Sequence, residues 1–229
     1  MSNRVPPMKF RRLPCISVAM ALLLSACAGD APAPSRDTRG TGTASGAQGD
    51  ANVRQCRALL GDAGVAFTPA QDLFAGKGCD STNAVYLQSL PSDDLRMSLS
   101  NLDRVYCPLA DSFAGWARYG VNRAAEQIMG SPVTKIETFG SYSCRNVAGT
   151  GRRSAHSNAQ AIDISAFVLA DGRRVTVLDG WNGSRAEREF LRAVHQSACK
   201  RFGTTLGPDY NAAHRNHFHV EPGGGGFCR

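Results

Sequence analysis

No two cysteines in the 229-residue chain stand in a C-x-x-C pair, so neither a thiolate zinc knuckle nor a dithiol redox motif is expected. No uncharged run is long enough for a comfortable membrane span: the longest apolar stretch, Leu13 to Gly29, has 17 residues, against about 20 needed. No internal repeat is present, and acidic residues are missing from the first twelve positions, which hold Arg4, Lys9, Arg11 and Arg12. Those four cations supply most of the formal charge of +7, leaving about +3 for the rest. That excess is too small to argue for nucleic acid, and no nucleic-acid partner is expected. A hydrophobic share of 42% with 24 Gly and 11 Pro excludes a coiled coil, a collagen-like chain and wholesale disorder.

The basic start and the short apolar run read as an export signal over residues 1–26. The run ends in Leu24-Ser25-Ala26-Cys27, which resembles a bacterial lipobox. That resemblance implies lipidation at Cys27, and Ala28 behind it implies a periplasmic protein lipid-anchored at the outer membrane. A plain secretory signal is the alternative. Residues 28–50 hold no aromatic residue and no aliphatic larger than Ala, so 27–50 is read as a disordered tether. One domain, 51–229, remains.

Six cysteines are left in that domain, Cys56, Cys79, Cys107, Cys144, Cys199 and Cys228, an even number that suits disulfides in an exported protein. Six allow 15 connectivities, and pairing of sequence neighbours is expected: Cys56 with Cys79, Cys107 with Cys144, Cys199 with Cys228.

Hydrophobic spacing predicts an α+β order. Helices are expected over 53–61, over 107–128 with an interruption near Gly120, and from Ser184 with Glu187 in capping-box position. Strands are expected at 84–87, 135–142, 161–169, 174–178 and 217–220, the third and fourth forming a hairpin at Asp171-Gly172. The expected architecture is a small antiparallel sheet flanked by helices.

Of the chain's five histidines, His214, His217 and His219 fall within six consecutive residues, while His156 and His195 stand apart. Alternation along a strand turns His217 and His219 to one face. Asp163, between the core-facing Ile162 and Ile164, faces away from the core and needs a partner. Two imidazoles and a carboxylate make a three-ligand set that suits Zn2+ and leaves a position open, the arrangement of catalytic sites. A lone His-x-His is more often a hydrogen-bonding pair, and His195 on its helix is read that way.

Ser154-Ala155-His156 through Ala161-Ile162-Asp163 resembles the S-x-H-x-x-G-x-A-x-D motif of the zinc metallopeptidases grouped with lysostaphin, D-Ala-D-Ala carboxypeptidases, murein endopeptidases and hedgehog domains. His217-Phe218-His219 is similar to their H-x-H motif. Gly140 to Arg145, Asp171-Gly172-Arg173, Leu206 to Asn211 and Cys228-Arg229 resemble the bacterial extensin-like C-terminal domain family. The resemblance implies a hedgehog/D-Ala-D-Ala peptidase-like sheet with zinc on His156, Asp163 and His219. It also implies His217 beside the metal's water and Arg145 and Ser154 toward substrate; since the amide of Asn216 cannot accept a proton, His217, assisted by His214, is expected as general base. The implied activity is hydrolysis of amide bonds in peptidoglycan stem peptides. The spacing H-x-x-H-x-H is similar to that of murein endopeptidases, which favours an endopeptidase over a carboxypeptidase. A wall-binding module without turnover is the alternative. Three positions depart from these patterns: Ala159 for Gly, Gln160 for Asn, and Asn216 for the Asp usual in extensin-like domains.

Overall fold

The computed structural model describes residues 43–223 and 226–229. The expected signal segment and Cys27, with most of the tether, lie outside the described residues. Helix α1, Thr43–Asp62, starts well ahead of residue 53. Among the described residues no helix is long and apolar enough to cross a membrane.

The sheet has ten strands: β1 Ala66–Pro69, β2 Ala84–Pro91, β3 Arg96–Ser100, β4 Val105–Tyr106, β5 Val133–Gly140, β6 Ile162–Leu169, β7 Arg174–Thr176, β8 Thr204–Leu206, β9 Phe218–Glu221 and β10 Phe227–Cys228. Their order is β1-β2-β3-β5-β6-β9-β8-β10, with β4 pairing β2 and β7 pairing β6. The class is α+β as expected, but the sheet is larger than predicted and mixed, because β3 runs parallel to β5 and β10 to β8. The strands that escaped sequence reading are mostly short or lack a clean apolar alternation, and tertiary pairing alone makes them strands.

Helix α2, Cys107–Trp116, continues through Gly120 as wide π-helical turns over 117–122 and 125–129 and stops at Gly130, whose φ of 70° is left-handed. The expected break at Gly120 does not occur. A Cβ there would stand 2.5 Å from the Ser197 hydroxyl, so this glycine lets the neighbouring helix α4, Arg185–Arg201, approach closely. Trp116 seals the contact, its indole N–H donating to the Val194 carbonyl at 3.2 Å and to Ser197 Oγ at 3.0 Å. Its ring packs on Phe113, Phe167 and Phe202. Phe190, Leu191, Val194 and Ala198 form the buried face of α4, as predicted.

The β6–β7 hairpin turns at Asp171-Gly172 as expected, with Gly172 at φ 89°. Its second strand ends at Thr176, because the Thr176 hydroxyl accepts the Asp179 N–H at 3.0 Å and caps a short helix α3, Val177–Gly180. Helix α4 opens with the predicted capping box: Ser184 Oγ accepts the Glu187 N–H at 3.3 Å, and Glu187 Oε2 accepts the Ser184 N–H at 2.8 Å. Ser184→Ala should therefore lower stability by about 1 kcal/mol, read as a smaller urea midpoint at unchanged slope.

Two of the three expected disulfide pairings are corrected. The bonds are Cys56–Cys107, Cys79–Cys144 and Cys199–Cys228. Cys107 opens α2 against α1, which brings it to Cys56. The loop that carries Cys79 lies on the segments on either side of His156: Tyr142 donates to the Cys79 carbonyl at 2.9 Å, and Asn158 to that of Asp80 at 2.6 Å. Spatial neighbours, remote in sequence, therefore decide both pairs.

Candidate metal centre

Strand β6 lies between β5 and β9, and its antiparallel register with β9 sets Asp163 opposite His219. Ile162, Ile164, Phe218 and Val220 enter the core. Alternation thus turns Asp163 and His219 to the other face, followed there by Ser165 and Glu221. His217 shares that face, two residues ahead of His219.

His156 comes from a 3-10 turn, Ala155–Asn158, whose N-cap is Ser154: its Oγ accepts the His156 N–H at 3.4 Å. The turn ends on Ala159, fully buried at φ 57° and ψ 24°. Only glycine reaches this left-handed region without strain, which explains why the motif that the segment resembles has Gly there. In this chain alanine keeps the backbone shape. Ala159→Gly relieves left-handed strain of about 1–2 kcal/mol but loses a buried methyl, about 0.8 kcal/mol, and adds unfolded-state freedom of about 0.4–1 kcal/mol. Its stability should stay within about 1 kcal/mol of the parent with metal retained. Ala159→Val, β-branched at positive φ in a filled space, should lose about 3 kcal/mol or more and loosen the metal. Urea denaturation and metal analysis check both.

The three predicted ligands converge. His156 Nε2 is 3.1 Å from Asp163 Oδ2, His219 Nδ1 is 2.8 Å from Asp163 Oδ1, and the two ring nitrogens are 3.3 Å apart. Tetrahedral zinc with bonds near 2.0–2.1 Å sets its donors about 3.3 Å apart, so the spacing fits. The outer nitrogens define the tautomers. His156 Nδ1 donates to the Ser141 carbonyl at 3.0 Å, and His219 Nε2 to Glu221 Oε1 at 2.9 Å. In the neutral rings the remaining nitrogens are bare lone pairs, and both aim at a carboxylate. Three acceptors facing one another need a proton or a cation among them.

Without a metal that need falls on His219. Burial pushes its pKa down, but hydrogen bonds and attraction from Asp163 and Glu221 outweigh burial and raise it to about 9. Burial likewise favours a neutral Asp163, yet contact with the His156 and His219 imidazoles holds its carboxyl far below the usual range. Glu221 is lowered by its bond to His219. A divalent cation would replace the His219 proton.

His217 stands beside this trio, its Nε2 3.5 Å from Asp163 Oδ1. Its Nδ1–H donates to Asn216 Oδ1 at 2.9 Å, which leaves Nε2 as the free acceptor on the metal side. Burial lowers its pKa against the pull of Asp163, so the ring is neutral at pH 7. His214 is held the same way by Asn211 Oδ1 at 2.8 Å, and burial with repulsion from His217 and His219 lowers it to about 4. Its ring is 5.1 Å from that of His217, centroid to centroid.

The Arg145 guanidinium reaches 4.0 Å from Asp163 Oδ2 at the rim, with its side chain 48% exposed. Ser154 is buried, and its hydroxyl caps the His156 turn. His195 is away from the cluster, on α4 against Trp181 and Phe218, and its neighbours Cys199 and Cys228 are joined in a disulfide. Sequence reading missed Glu221, Ser141, Asn211 and Asn216 as orienting groups. Glu221 alone carried a signal, since it follows His219 by two residues on the same strand face.

The model of a family described as extensin-like protein C-terminus matches residues 54–229. None of the curated proteins and none of the solved structures compared with the chain matches it.

Proposed function

The chain belongs to the extensin-like protein C-terminus family, and on that premise we propose that it is a zinc-dependent hydrolase of amide bonds in peptidoglycan stem peptides, an endopeptidase in preference to a carboxypeptidase. The observation that carries the reading is the trio of bare acceptors, His156 Nε2, His219 Nδ1 and Asp163, turned toward one point with His217 Nε2 beside them. The resemblance of Ser154–Asp163 and His217–His219 to the motifs of wall-cutting metallopeptidases supports the zinc assignment, the fold kinship with that group and the substrate class.

Three protein ligands leave zinc a position for water or substrate, and a bound zinc would supply Lewis acidity toward the scissile carbonyl and the attacking water. The chain's own groups do the rest. His217 Nε2 accepts the proton from the attacking water and returns it to the leaving amine. Asn216 holds the tautomer that makes this possible, as Ser141 and Glu221 do for the two ligands. Arg145, half exposed at the rim, offers a guanidinium to a substrate carboxylate.

A second reading is favoured by one residue. Asn216 stands where relatives have a carboxylate, and an amide is no base; a domain inert for that reason would be a zinc-containing wall-binding module. Incubation of the purified protein with peptidoglycan sacculi separates the two. New fragments by mass spectrometry support the hydrolase, and pelleting without fragments supports the binding module. If neither is seen, the wall assignment falls. The protein is further proposed to be lipid-anchored through Cys27 in the periplasm, at the outer membrane. Cys27→Ala should then lose labelled fatty acid and leave the membrane fraction.

A further inference from the structure

We propose that Tyr210, Phe227 and Arg229 form a shelf beside the metal centre for the acidic peptide that continues beyond the scissile bond, and that this shelf selects cross-linked over free stem peptides. The inference rests on the stem-peptide reading above and deepens it.

A row of rings leads out of the site. Phe139 packs edge-on against His217 at 5.9 Å, His217 lies 5.1 Å from His214, His214 5.3 Å from Tyr210, and Tyr210 5.7 Å from Phe227. The Arg229 guanidinium covers the far ring at 5.3 Å. Phe139, Tyr210 and Phe227 are 57%, 42% and 47% exposed, so the two ends of an aromatic strip face solvent on either side of the more buried His217. Such a strip is what a ligand-binding surface presents.

The outer end is held rigid. The Phe227 N–H donates to the Gly203 carbonyl at 2.9 Å, the Arg229 N–H to Thr205 at 3.0 Å, and the Gly207 N–H to the Arg229 carbonyl at 2.8 Å. Cys228, between the two shelf residues, is tied to α4 by Cys199. A surface fixed in advance loses little freedom when a ligand settles on it. This gives the disulfide a purpose beyond stability.

Length and charge define the ligand. An extended peptide advances about 3.3 Å per residue, so each step of 5.1–5.9 Å between neighbouring rings matches one to two residues of a bound chain. Arg229 is exposed and enters no ion pair among the described residues, and Arg145 adds a second cation at the rim. Stem peptides carry free carboxylates, which complement these cations.

The test measures dissociation constants of a cross-linked muropeptide dimer and of its uncross-linked monomer for the purified, zinc-loaded protein. Tyr210→Ala with Phe227→Ala should weaken dimer binding about tenfold, and Arg229→Gln should weaken it severalfold, most at low salt. Monomer binding, zinc content and circular dichroism should stay at parent values. Parent-like dimer affinity in these variants overturns the shelf alone. Equal losses for monomer and dimer overturn the selectivity, and equally tight binding of peptide-free glycan strands overturns the peptide assignment. A parent that neither binds nor cleaves either muropeptide overturns both the shelf and the stem-peptide reading.

Discussion

Asp163→Ala should empty the metal site, taking the purified protein from about one zinc per chain to less than about a tenth. Asp163 is the hinge of the trio: it meets both ligand imidazoles within 3.1 Å and stands opposite His219 in the β6–β9 register. Without it, two neutral rings face each other with no anionic oxygen, and a hard share of the donor set is lost. Asp163→Asn should also lose most of its zinc, although it keeps the volume and one acceptor. The fold should survive, since Ile162 and Ile164 pack on the opposite face and the disulfides are independent of the metal. Metal analysis beside circular dichroism reads the result. Full zinc occupancy in Asp163→Ala would refute this ligand set.

His217→Ala should reduce sacculus cleavage by about two to four orders of magnitude, the range for a lost general base, with zinc retained. His214→Ala should cost less, because His214 stands one ring back, 5.1 Å from His217 and 5.8 Å from His219, centroid to centroid. Asn216→Asp should leave activity intact or raise it. The carboxylate would accept the same Nδ1–H more strongly and make the imidazole more basic, the arrangement of a His oriented by an acid. Undiminished cleavage in the His217→Ala, His214→Ala double variant would eliminate the histidine base. An inert parent restored by Asn216→Asp would favour the binding module.

The candidate ligands were legible because their chemistry is local. H-x-H in a strand fixes a common face, and an aspartate between two core isoleucines must face away from the core, whatever the rest of the chain does. The helix from Ser184 was legible for the same reason, its cap and apolar stripe lying within seventeen residues. The disulfide partners of Cys56 and Cys79 were not, since each is set by where distant segments dock. Short strands such as β8 and β10 carry too little pattern to be read, yet β8 seats β9 and β10 beside the site. The orienting role of Asn216 is not legible in the sequence either. Its amide oxygen works by accepting a hydrogen bond, and that appears only when the His217 ring is placed.

The Cys56–Cys107 bond joins α1 to the first residue of α2, which is fully buried. A chain anchored at Cys27, as proposed, would be tugged from its N-terminal side whenever membrane and wall shift relative to each other. Such a pull would run along α1 only as far as Cys56 and pass there, through a covalent link, into the helix that packs beneath the sheet. The helix could not be peeled away turn by turn beyond that point. The strands β1 to β4 lie inside the loop that this disulfide closes, so they would be spared the load in a slack or a stretched envelope alike.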